Sequence, residues 1–307
     1  MTEQLANPIL ENKLSAIVRL TRWREHVSFT VPLTVVGAMM AVSATNTQAD
    51  WRIIAVTIAN ILAVSFAFII NDVEDAPDDA LDPKKRMHNV ISSEVISHKE
   101  GMLLSWGTAL LSFLLYLLCG PWTLAFGLVT LILSYLYSAH PFRFKARPIT
   151  DVVSHVLMLS GLLVMTGYFV YDHVPNEAWL IIISAILFSA YGQFFNQVDD
   201  YEVDKKAGLK NTVVLIGKTP TTILMYACLL GAIVCMLAGI AVGIFPDWLG
   251  SVLIVALISV LIFPWEFDMR GNKAEGSGII QRPSLLVANI VSLMWLVANI
   301  GWLPIIR

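Results

Sequence analysis

Nine apolar segments, each about as long as a bilayer is thick, occupy most of the chain after its first 27 residues. A helix needs about 20 residues to cross the hydrocarbon core, and inside a bilayer a helix satisfies its own backbone polar groups. Charged residues make up only 14% of the 307 residues, against about 25% in soluble domains. We therefore predict an all-α membrane protein with nine transmembrane helices, at residues 28–46, 51–71, 101–119, 121–139, 151–171, 177–197, 220–243, 247–265 and 284–304.

The positive charges are distributed unevenly between the two ends of these segments. Of the 20 Lys and Arg residues, 18 precede the first segment or follow an even-numbered one. Because cationic loops stay in the cytoplasm, we predict a cytoplasmic N-terminus, an external C-terminus and a multi-pass location in the cell membrane. Residues 1–27 hold four of these cations and Trp23 with helical periodicity, which favours an interfacial amphipathic helix before a nine-helix domain at residues 28–307.

Charge and cysteine content exclude several other classes. The formal net charge is −3, whereas nucleic-acid binders carry a basic patch or stripe, so we expect no nucleic-acid partner. The three cysteines, Cys119, Cys228 and Cys235, lie in separate apolar segments and are too few for a disulfide framework or a zinc site. The long loops lie on the cationic side, and long loops in compact proteins tend to be functional. The active site is therefore expected to face the cytoplasm.

A nine-residue acidic motif occurs twice, at the ends of the second and sixth apolar segments. Both copies read N-x-V-x-D-x-x-x-D and start 125 residues apart, at residues 71–79 and 196–204. The same motif at equivalent helix ends indicates an internal duplication. The matched residues are Asn71 and Asn196, Val73 and Val198, Asp75 and Asp200, and Asp79 and Asp204.

The spacing of the motif predicts that its oxygen-bearing side chains share one helical face. Residues four apart lie about 6 Å apart along the axis, so Asn71, Asp75 and Asp79 form one ladder and the second copy forms another. Hard oxygen ligands suit Mg²⁺, which binds through one or two carboxylates and phosphate oxygens. Pro77 lies inside the first copy and is expected to interrupt that helix. The alternatives are solvated loop acids or a calcium loop, although neither copy has the EF-hand order.

Cations follow both acidic motifs, and a third cationic stretch lies between the motifs. Arg143, Lys145 and Arg147 alternate between two prolines, so in an extended backbone their side chains would point the same way. The alternative is a topology signal of the positive-inside kind, and Lys145 is the cation that we interpret as functional. Cations near a magnesium site would bind a diphosphate. Those that follow the two motifs are Lys84, Lys85, Arg86, Lys205, Lys206 and Lys210.

Together these motifs resemble the UbiA superfamily of intramembrane prenyltransferases. Residues 207–217 are similar to the family's A-G-x-x-N-T-x-x-x-x-G stretch, whereas residues 89–97 have Val and Glu where Pro and Gly are common. The residues that carry the resemblance are Asn71, Asp72, Asp75 and Asp79 in N-D-x-x-D-x-x-x-D, Asp200 and Asp204 in the second acidic motif, and Tyr137, Ser138, Pro141, Arg143 and Lys145 in Y-S-x-x-P-x-R-x-K.

The resemblance implies a ring of helices around a central cavity, where Mg²⁺ and the two acidic motifs bind the diphosphate of an allylic prenyl donor. Ionisation of this donor would leave a carbocation, which a lipophilic acceptor attacks. The implied catalytic carboxylates, which are also metal ligands together with Asn71, are Asp75, Asp79, Asp200 and Asp204. The implied substrate-binding residues are Asn71, Asn196, Tyr137, Arg143, Lys145 and Arg86.

Several functions share parts of this pattern. The acceptor is open among aromatic quinone precursors, carotenoids and other lipids, and a terpene cyclase of the same fold would quench the cation internally. A cation-coupled transporter also carries membrane carboxylates, although these lie at one membrane edge, away from the midplane. The D-G-x-x-A-R motif of the CDP-alcohol phosphotransferases is absent from the sequence.

Overall fold

The computed structural model describes residues 12–206, 208–263, 269 and 280–300, and every regular element within those ranges is helical. The all-α prediction is therefore confirmed for this part of the chain. Two 3₁₀ turns, Phe144–Ala146 and Asn176–Ala178, and one π-helical turn, Leu157–Gly161, accompany the longer helices. The helices are α1 (Lys13–Leu20), α2 (Trp23–Ala44), α3 (Trp51–Asp79), α4 (Pro83–His88), α5 (His98–Cys119), α6 (Pro121–Ser138), α7 (Thr150–Val156), α8 (Leu162–Tyr168), α9 (Trp179–Asp199), α10 (Tyr201–Lys206), α11 (Thr212–Ile216), α12 (Lys218–Ala241), α13 (Asp247–Ile262) and α14 (Gln281–Asn299).

Eight helical segments in the described chain are long and apolar enough to cross a membrane. One of them, Thr150–Tyr168, comprises α7, the π-helical turn and α8. Helix α13 has 16 residues and so spans about 24 Å, less than the roughly 30 Å of a hydrocarbon core. Eight of the nine predicted spans are therefore helices of sufficient length and hydropathy. The ninth span stays a prediction, as does the orientation of the two chain termini, which lie outside the described residues.

Side-chain caps begin helices α3 and α5. The Asp50 side chain accepts a hydrogen bond from a backbone N–H in the first turn of α3 at 3.0 Å, and Ser97 and Glu100 form a capping box at the start of α5. Both caps satisfy N–H groups that have no partner within the helix. Gly120, at φ 120°, makes the tight turn into α6, which begins with Pro121. Glycine is required there because other residues are strained at that φ.

Helices α2 and α8 touch backbone to backbone. A Cβ atom built on Gly37 would lie 2.1 Å from the carbonyl oxygen of Val164, and one built on Gly167 would lie 2.2 Å from that of Thr34. Small residues permit this close approach between membrane helices, and van der Waals contact then stabilises the pair. Helix α14 also packs on α2, while α3 packs on α5 and α9 packs on α12.

A buried amide network joins four helices in the bundle. The Tyr116 hydroxyl of α5 donates to Asn60 Oδ1 of α3 at 2.6 Å. Asn60 Nδ2 donates to the hydroxyls of Thr34 on α2 at 2.7 Å and Thr166 on α8 at 2.9 Å. Polar groups at membrane depth need such partners. Asn71 follows Asn60 by eleven residues on the same helix, so the network lies about three turns from the start of the first acidic motif.

The N-terminal helix α1 packs against the back of α3. Its residues Ala16 and Leu20 are buried in a cluster with Ile69 and Val73, whereas Leu14 is 66% exposed. The helix therefore buries one apolar face in the protein and leaves further apolar side chains outside it. The predicted interfacial role of residues 1–27 and the domain boundary at residue 28 stay predictions.

The turn between α4 and α5, residues 89–97, contains a strained residue, Glu94. Its φ is 63°, a left-handed conformation that costs a non-glycine residue about 1–2 kcal/mol, and its side chain is exposed. We expect Glu94→Gly to stabilise the protein by about 0.5–1 kcal/mol, because relief of strain exceeds the added flexibility of the unfolded chain. The apparent unfolding midpoint in detergent measures this change.

The matched control is Lys99→Gly, in the first turn of α5. Glycine there lowers stability by about 0.5–1 kcal/mol. An unchanged or lower midpoint for Glu94→Gly would contradict the strain at this turn.

Candidate active site

The first acidic motif (residues 71–79) lies on a continuous helix, so the expectation that Pro77 interrupts α3 is wrong. The helix continues to Asp79. Proline removes the N–H that would otherwise bond to the Val73 carbonyl near the helix end. Side chains of the following turn bond to other carbonyls of this helix end: Asn89 Nδ2 donates to the Asp72 carbonyl at 2.8 Å, and the Ser92 hydroxyl donates to the Ala76 carbonyl at 2.9 Å. The predicted ladder of Asn71, Asp75 and Asp79 therefore retains its one-turn spacing.

A basic loop, residues 139–149 between α6 and α7, brings two predicted cations onto this ladder. Lys145 Nζ donates to Asn71 Oδ1 at 2.8 Å and to Asp75 Oδ2 at 2.5 Å. Arg143 Nη2 donates to the other oxygen of Asp75, Oδ1, at 3.0 Å and to Asp78 at 3.1 Å. Each oxygen of Asp75 thus accepts from a different cation, and Lys145 also donates to Asn71.

The extended conformation expected for Arg143, Lys145 and Arg147 is wrong. Arg143 has φ 42°, and Phe144–Ala146 form a 3₁₀ turn. This turn points Arg143 and Lys145 to one carboxylate, while the exposed Arg147 donates to the Pro141 carbonyl at 3.0 Å. Because of this turn, Arg147 lies apart from the other two cations and does not bond to the first motif.

The cations of the basic loop lie in a partly enclosed environment. The side chains of Lys145 and Asp75 are 17% and 19% exposed. Burial lowers the pKa of Lys145, and the adjacent Asp75 opposes this shift. Burial also acts to lower the pKa of Arg143, but Asp78 and Asp75 outweigh it and raise that pKa. Charges held in such surroundings interact more strongly than charges in water.

The second acidic motif (residues 196–204) spans a helix junction, which the sequence analysis did not predict. Helix α9 ends at Asp199 and α10 begins at Tyr201, with Asp200 between them. The backbone bonds from Asp200 N to Asn196 O at 3.0 Å and from Asp204 N to Asp200 O at 2.9 Å preserve the one-turn spacing. Both copies of the motif therefore keep their i, i+4, i+8 order.

Two asparagines that sequence analysis did not select hold the last carboxylate of each motif. Asn89 Nδ2 donates to Asp79 Oδ2 at 3.0 Å, and Asn211 Nδ2 donates to Asp204 Oδ2 at 2.6 Å. The side-chain oxygen of each asparagine accepts from a backbone N–H two or three residues later, at 2.9 Å from Ile91 and at 3.1 Å in the Asn211 turn. The two motifs thus share this contact, and the asparagine that follows each copy is the sequence signal for it.

The other predicted site residues are arranged less closely. Arg86 is exposed on the short helix α4 and takes no part in the bonds between the basic loop and the first motif. The Tyr137 ring, at the end of α6, lies 6.2 Å from the His155 ring on α7. Asp200 is exposed, and Asn196 is partly buried.

The donor set fits a magnesium ion that completes its coordination with oxygens from outside the protein. Throughout the described ranges, no three carboxylate, imidazole or thiol groups lie close enough to hold a metal ion by themselves. The available donors are hard oxygens, and Asn196 Oδ1 is buried without a hydrogen-bond partner among the described residues. Mg²⁺ characteristically takes few protein ligands and adds water and phosphate oxygens, so this set suits a diphosphate-bridged ion.

Comparison with known proteins identifies the family. The model of the UbiA prenyltransferase family matches residues 30–277. The chain belongs to this family. A UbiA homologue from Archaeoglobus fulgidus, solved bound to GPP and Mg²⁺, superposes with a TM-score of 0.71 at 23% identity, covering 94% of this chain and 100% of that one. The same homologue bound to DMAPP and Mg²⁺ gives a TM-score of 0.69. The fold is therefore the UbiA fold.

Two kinds of named UbiA relatives are similar in sequence. A lycopene elongase/hydratase from Haloarcula japonica is 30% identical over 62% of this chain and 60% of its own length. A 4-hydroxybenzoate octaprenyltransferase from Thiobacillus denitrificans is 27% identical over 60% of this chain and 61% of its own length. The chain thus spans about three fifths of these relatives. Membership of the UbiA family favours an enzyme over the transporter alternative.

Proposed function

We propose that this protein transfers a prenyl group from an allylic prenyl diphosphate to a lipophilic acceptor in a Mg²⁺-dependent reaction. The observation that carries the proposal is the contact of Lys145 and Arg143 with Asp75, beside Asn71, at the end of a membrane-spanning helix. Cations and hard oxygen ligands together suit a metal-bound diphosphate. The GPP and DMAPP complexes of the A. fulgidus homologue support this choice of donor.

Lys145 and Arg143 act on the leaving group. As the C1–O bond of the donor breaks, its electron pair stays on the diphosphate, and negative charge grows on the phosphate oxygens. Two preorganised cations that already lie together stabilise this charge with little reorganisation. Arg143 offers a planar fork of donors and Lys145 a compact charge, so the pair can contact several oxygens at once.

The two acidic motifs would hold the metal. Asn71, Asp75 and Asp79 supply one group of oxygens, and Asp200 and Asp204 supply another, with Asn196 contacting the substrate. When bound, Mg²⁺ supplies positive charge that offsets that of the diphosphate. Asn89 and Asn211 keep the outer carboxylates, Asp79 and Asp204, oriented for this role.

The acceptor step takes place in the apolar interior of the bundle. An electron pair of the acceptor forms the new bond to C1 of the prenyl group, and the acceptor then loses a proton. Exclusion of water protects the carbocation from hydrolysis. The haloarchaeal lycopene elongase/hydratases are 30% and 31% identical to this chain over their matched regions, so we propose a carotenoid as the first acceptor to test, with an aromatic acid as the second.

We also propose that the protein lies in the cell membrane with its site facing the cytoplasm. Support comes from the 18 of 20 cations on one side of the predicted spans and from the positive-inside rule. The basic loop and the first acidic motif belong to this cationic side and contact each other.

The test is diphosphate release by purified protein supplied with dimethylallyl, geranyl or longer prenyl diphosphates. Lycopene, 4-hydroxybenzoate or no acceptor is added, and products are identified by mass. We expect release that requires Mg²⁺, stops with EDTA and yields a prenylated acceptor. An acceptor-independent hydrocarbon would indicate the terpene cyclase instead. No release with any donor would refute both activities.

A further inference from the structure

We propose that Asp151 is a positioning residue, which holds the basic loop and the second acidic motif at the separation that lets both bind one diphosphate. The proposal rests on the proposed function, because it takes these two elements to share a ligand. Asp151 lies in the first turn of α7, two residues after the basic loop, and is 1% exposed. It belongs to neither acidic motif.

The Asp151 carboxylate is bonded to two other elements. Oδ2 accepts from Gln197 Nε2 of α9 at 2.8 Å and from the Thr212 backbone N–H of α11 at 2.7 Å. Oδ1 accepts from the Thr212 hydroxyl. A charge is tolerated in the interior when it is hydrogen-bonded in this way, and bonds to an ionised acceptor are the stronger ones. Asp151 therefore ties the start of α7 to Gln197 within the second motif and to Thr212, which follows that motif.

Each partner of this carboxylate directly follows an asparagine of the proposed site. Gln197 follows Asn196, whose side-chain oxygen is buried and free of hydrogen bonds among the described residues. Thr212 follows Asn211, which holds the carboxylate of Asp204 at 2.6 Å. A shift of either partner would therefore move one end of the second motif.

The basic loop reaches the same cluster through a strained turn. Ile149 has φ 70° and ψ −52°, and the Thr150 N–H bonds to the Pro148 carbonyl at 2.8 Å, as in the rarer form of γ-turn. A β-branched residue at positive φ persists only where its surroundings enforce it. Ile149 is 64% exposed, and the hydrogen bond from its N–H to Thr212 Oγ1 at 2.8 Å ties this turn to α11.

The Asp151 carboxylate thus orders the basic loop and the second acidic motif, which belong to different parts of the chain. Lys145, four residues before the strained turn, contacts the first motif, and the loop's other end is pinned beside the second. Without the Asp151 carboxylate, the Thr212 hydroxyl and the Gln197 amide lose their acceptor. We then expect weaker binding of a metal diphosphate, with no change in the site for the acceptor.

A charge-relocation cycle tests this role with a binding measurement. Asp151→Asn removes the carboxylate, and Gln197→Glu places a second carboxylate against it, where the two repel. In the double variant, the amide nitrogen at 151 donates to the carboxylate at 197, and the amide oxygen accepts from the Thr212 hydroxyl. Only the Thr212 N–H loses its acceptor, because it shares Oδ2 with Gln197 in the wild type. We expect each single change to raise the Kd for magnesium pyrophosphate about tenfold. The double change should leave it about threefold above wild type, the effect of one lost hydrogen bond.

Two further variants separate positioning from folding. Thr212→Val keeps the side-chain shape and removes only the hydroxyl, so the Kd should rise about threefold even if the Asp151 variants fail to fold. Ser154→Ala is the matched control on the same helix. Ser154 is 3% exposed and its hydroxyl donates to the Thr150 carbonyl within α7, so the Kd should stay unchanged.

The outcomes are distinct. Rescue by the double variant, with the Kd raised in Thr212→Val, would support the proposal. A double variant as weak as either single one, or a Kd unchanged in Thr212→Val, would overturn it, as would a wild-type protein that fails to bind magnesium pyrophosphate. Binding with the expected pattern but no turnover of any prenyl donor would refute the proposed function and leave the role of Asp151 supported.

Discussion

Replacing Asp75 by Asn is expected to lower Mg²⁺-dependent diphosphate release on the order of 10³-fold, as does the loss of a key charge in other preorganised sites. The carboxylate is the centre of the first motif, because its two oxygens face Lys145 at 2.5 Å and Arg143 at 3.0 Å. Asparagine keeps the shape but removes the charge, so the cations lose their common partner and the proposed metal loses a ligand. Initial rates at saturating donor measure the effect.

Asp78→Asn is the matched control for this change. Asp78 lies on the same helix and also accepts from Arg143, at 3.1 Å, but its side chain is 66% exposed. Exposed ion pairs contribute little, so the rate should change by about threefold or less. Equal losses in both variants, or a rate for Asp75→Asn within tenfold of wild type, would exclude Asp75 from the role that we propose.

Lys145→Met is expected to lower kcat/KM for the prenyl donor by about 10²- to 10³-fold. Methionine retains an unbranched apolar side chain and removes the ammonium group that lies between Asn71 and Asp75. KM for the acceptor should not change, because the ammonium acts only on the diphosphate. Lys145→Arg should restore little of the activity, because a planar guanidinium does not reproduce a compact ammonium in an enclosed space.

The control for Lys145→Met is Arg147→Met in the same loop. Arg147 is exposed and bonds to the Pro141 carbonyl, so we expect at most about a twofold change. A comparable loss in the two variants would mean that the loop acts through its total charge, without a specific role for Lys145. Apparent unfolding midpoints for both variants separate effects on stability from effects on chemistry.

The membrane helices and the first acidic motif were the most predictable parts of this protein. Hydropathy located eight spans because crossing a bilayer requires an apolar helix of defined length. The one-turn spacing of Asn71, Asp75 and Asp79 follows directly from helical geometry. Lys145 was identified because a cation near a predicted magnesium site would bind the diphosphate.

The contacts that orient the site were not predictable from local pattern. Pro77 alone indicates a helix break, whereas α3 continues to Asp79, and Asn89 of a later turn bonds to one of its carbonyls. The alternation of three cations indicates an extended strip, but the left-handed backbone at Arg143 sends Arg147 elsewhere. The Asp151–Thr212 contact joins residues 61 positions apart, and periodicity carries no information about such pairs.

The seam between α2 and α8 also limits how substrates reach the site. At Gly37 and Gly167 the two backbones leave no room for a single added methyl group. A hydrocarbon chain from the surrounding lipid therefore cannot pass between these helices at this level. This side of the bundle is closed to lateral entry. Any lipid that enters from the bilayer, and any enlarged product that leaves, must pass between other helices.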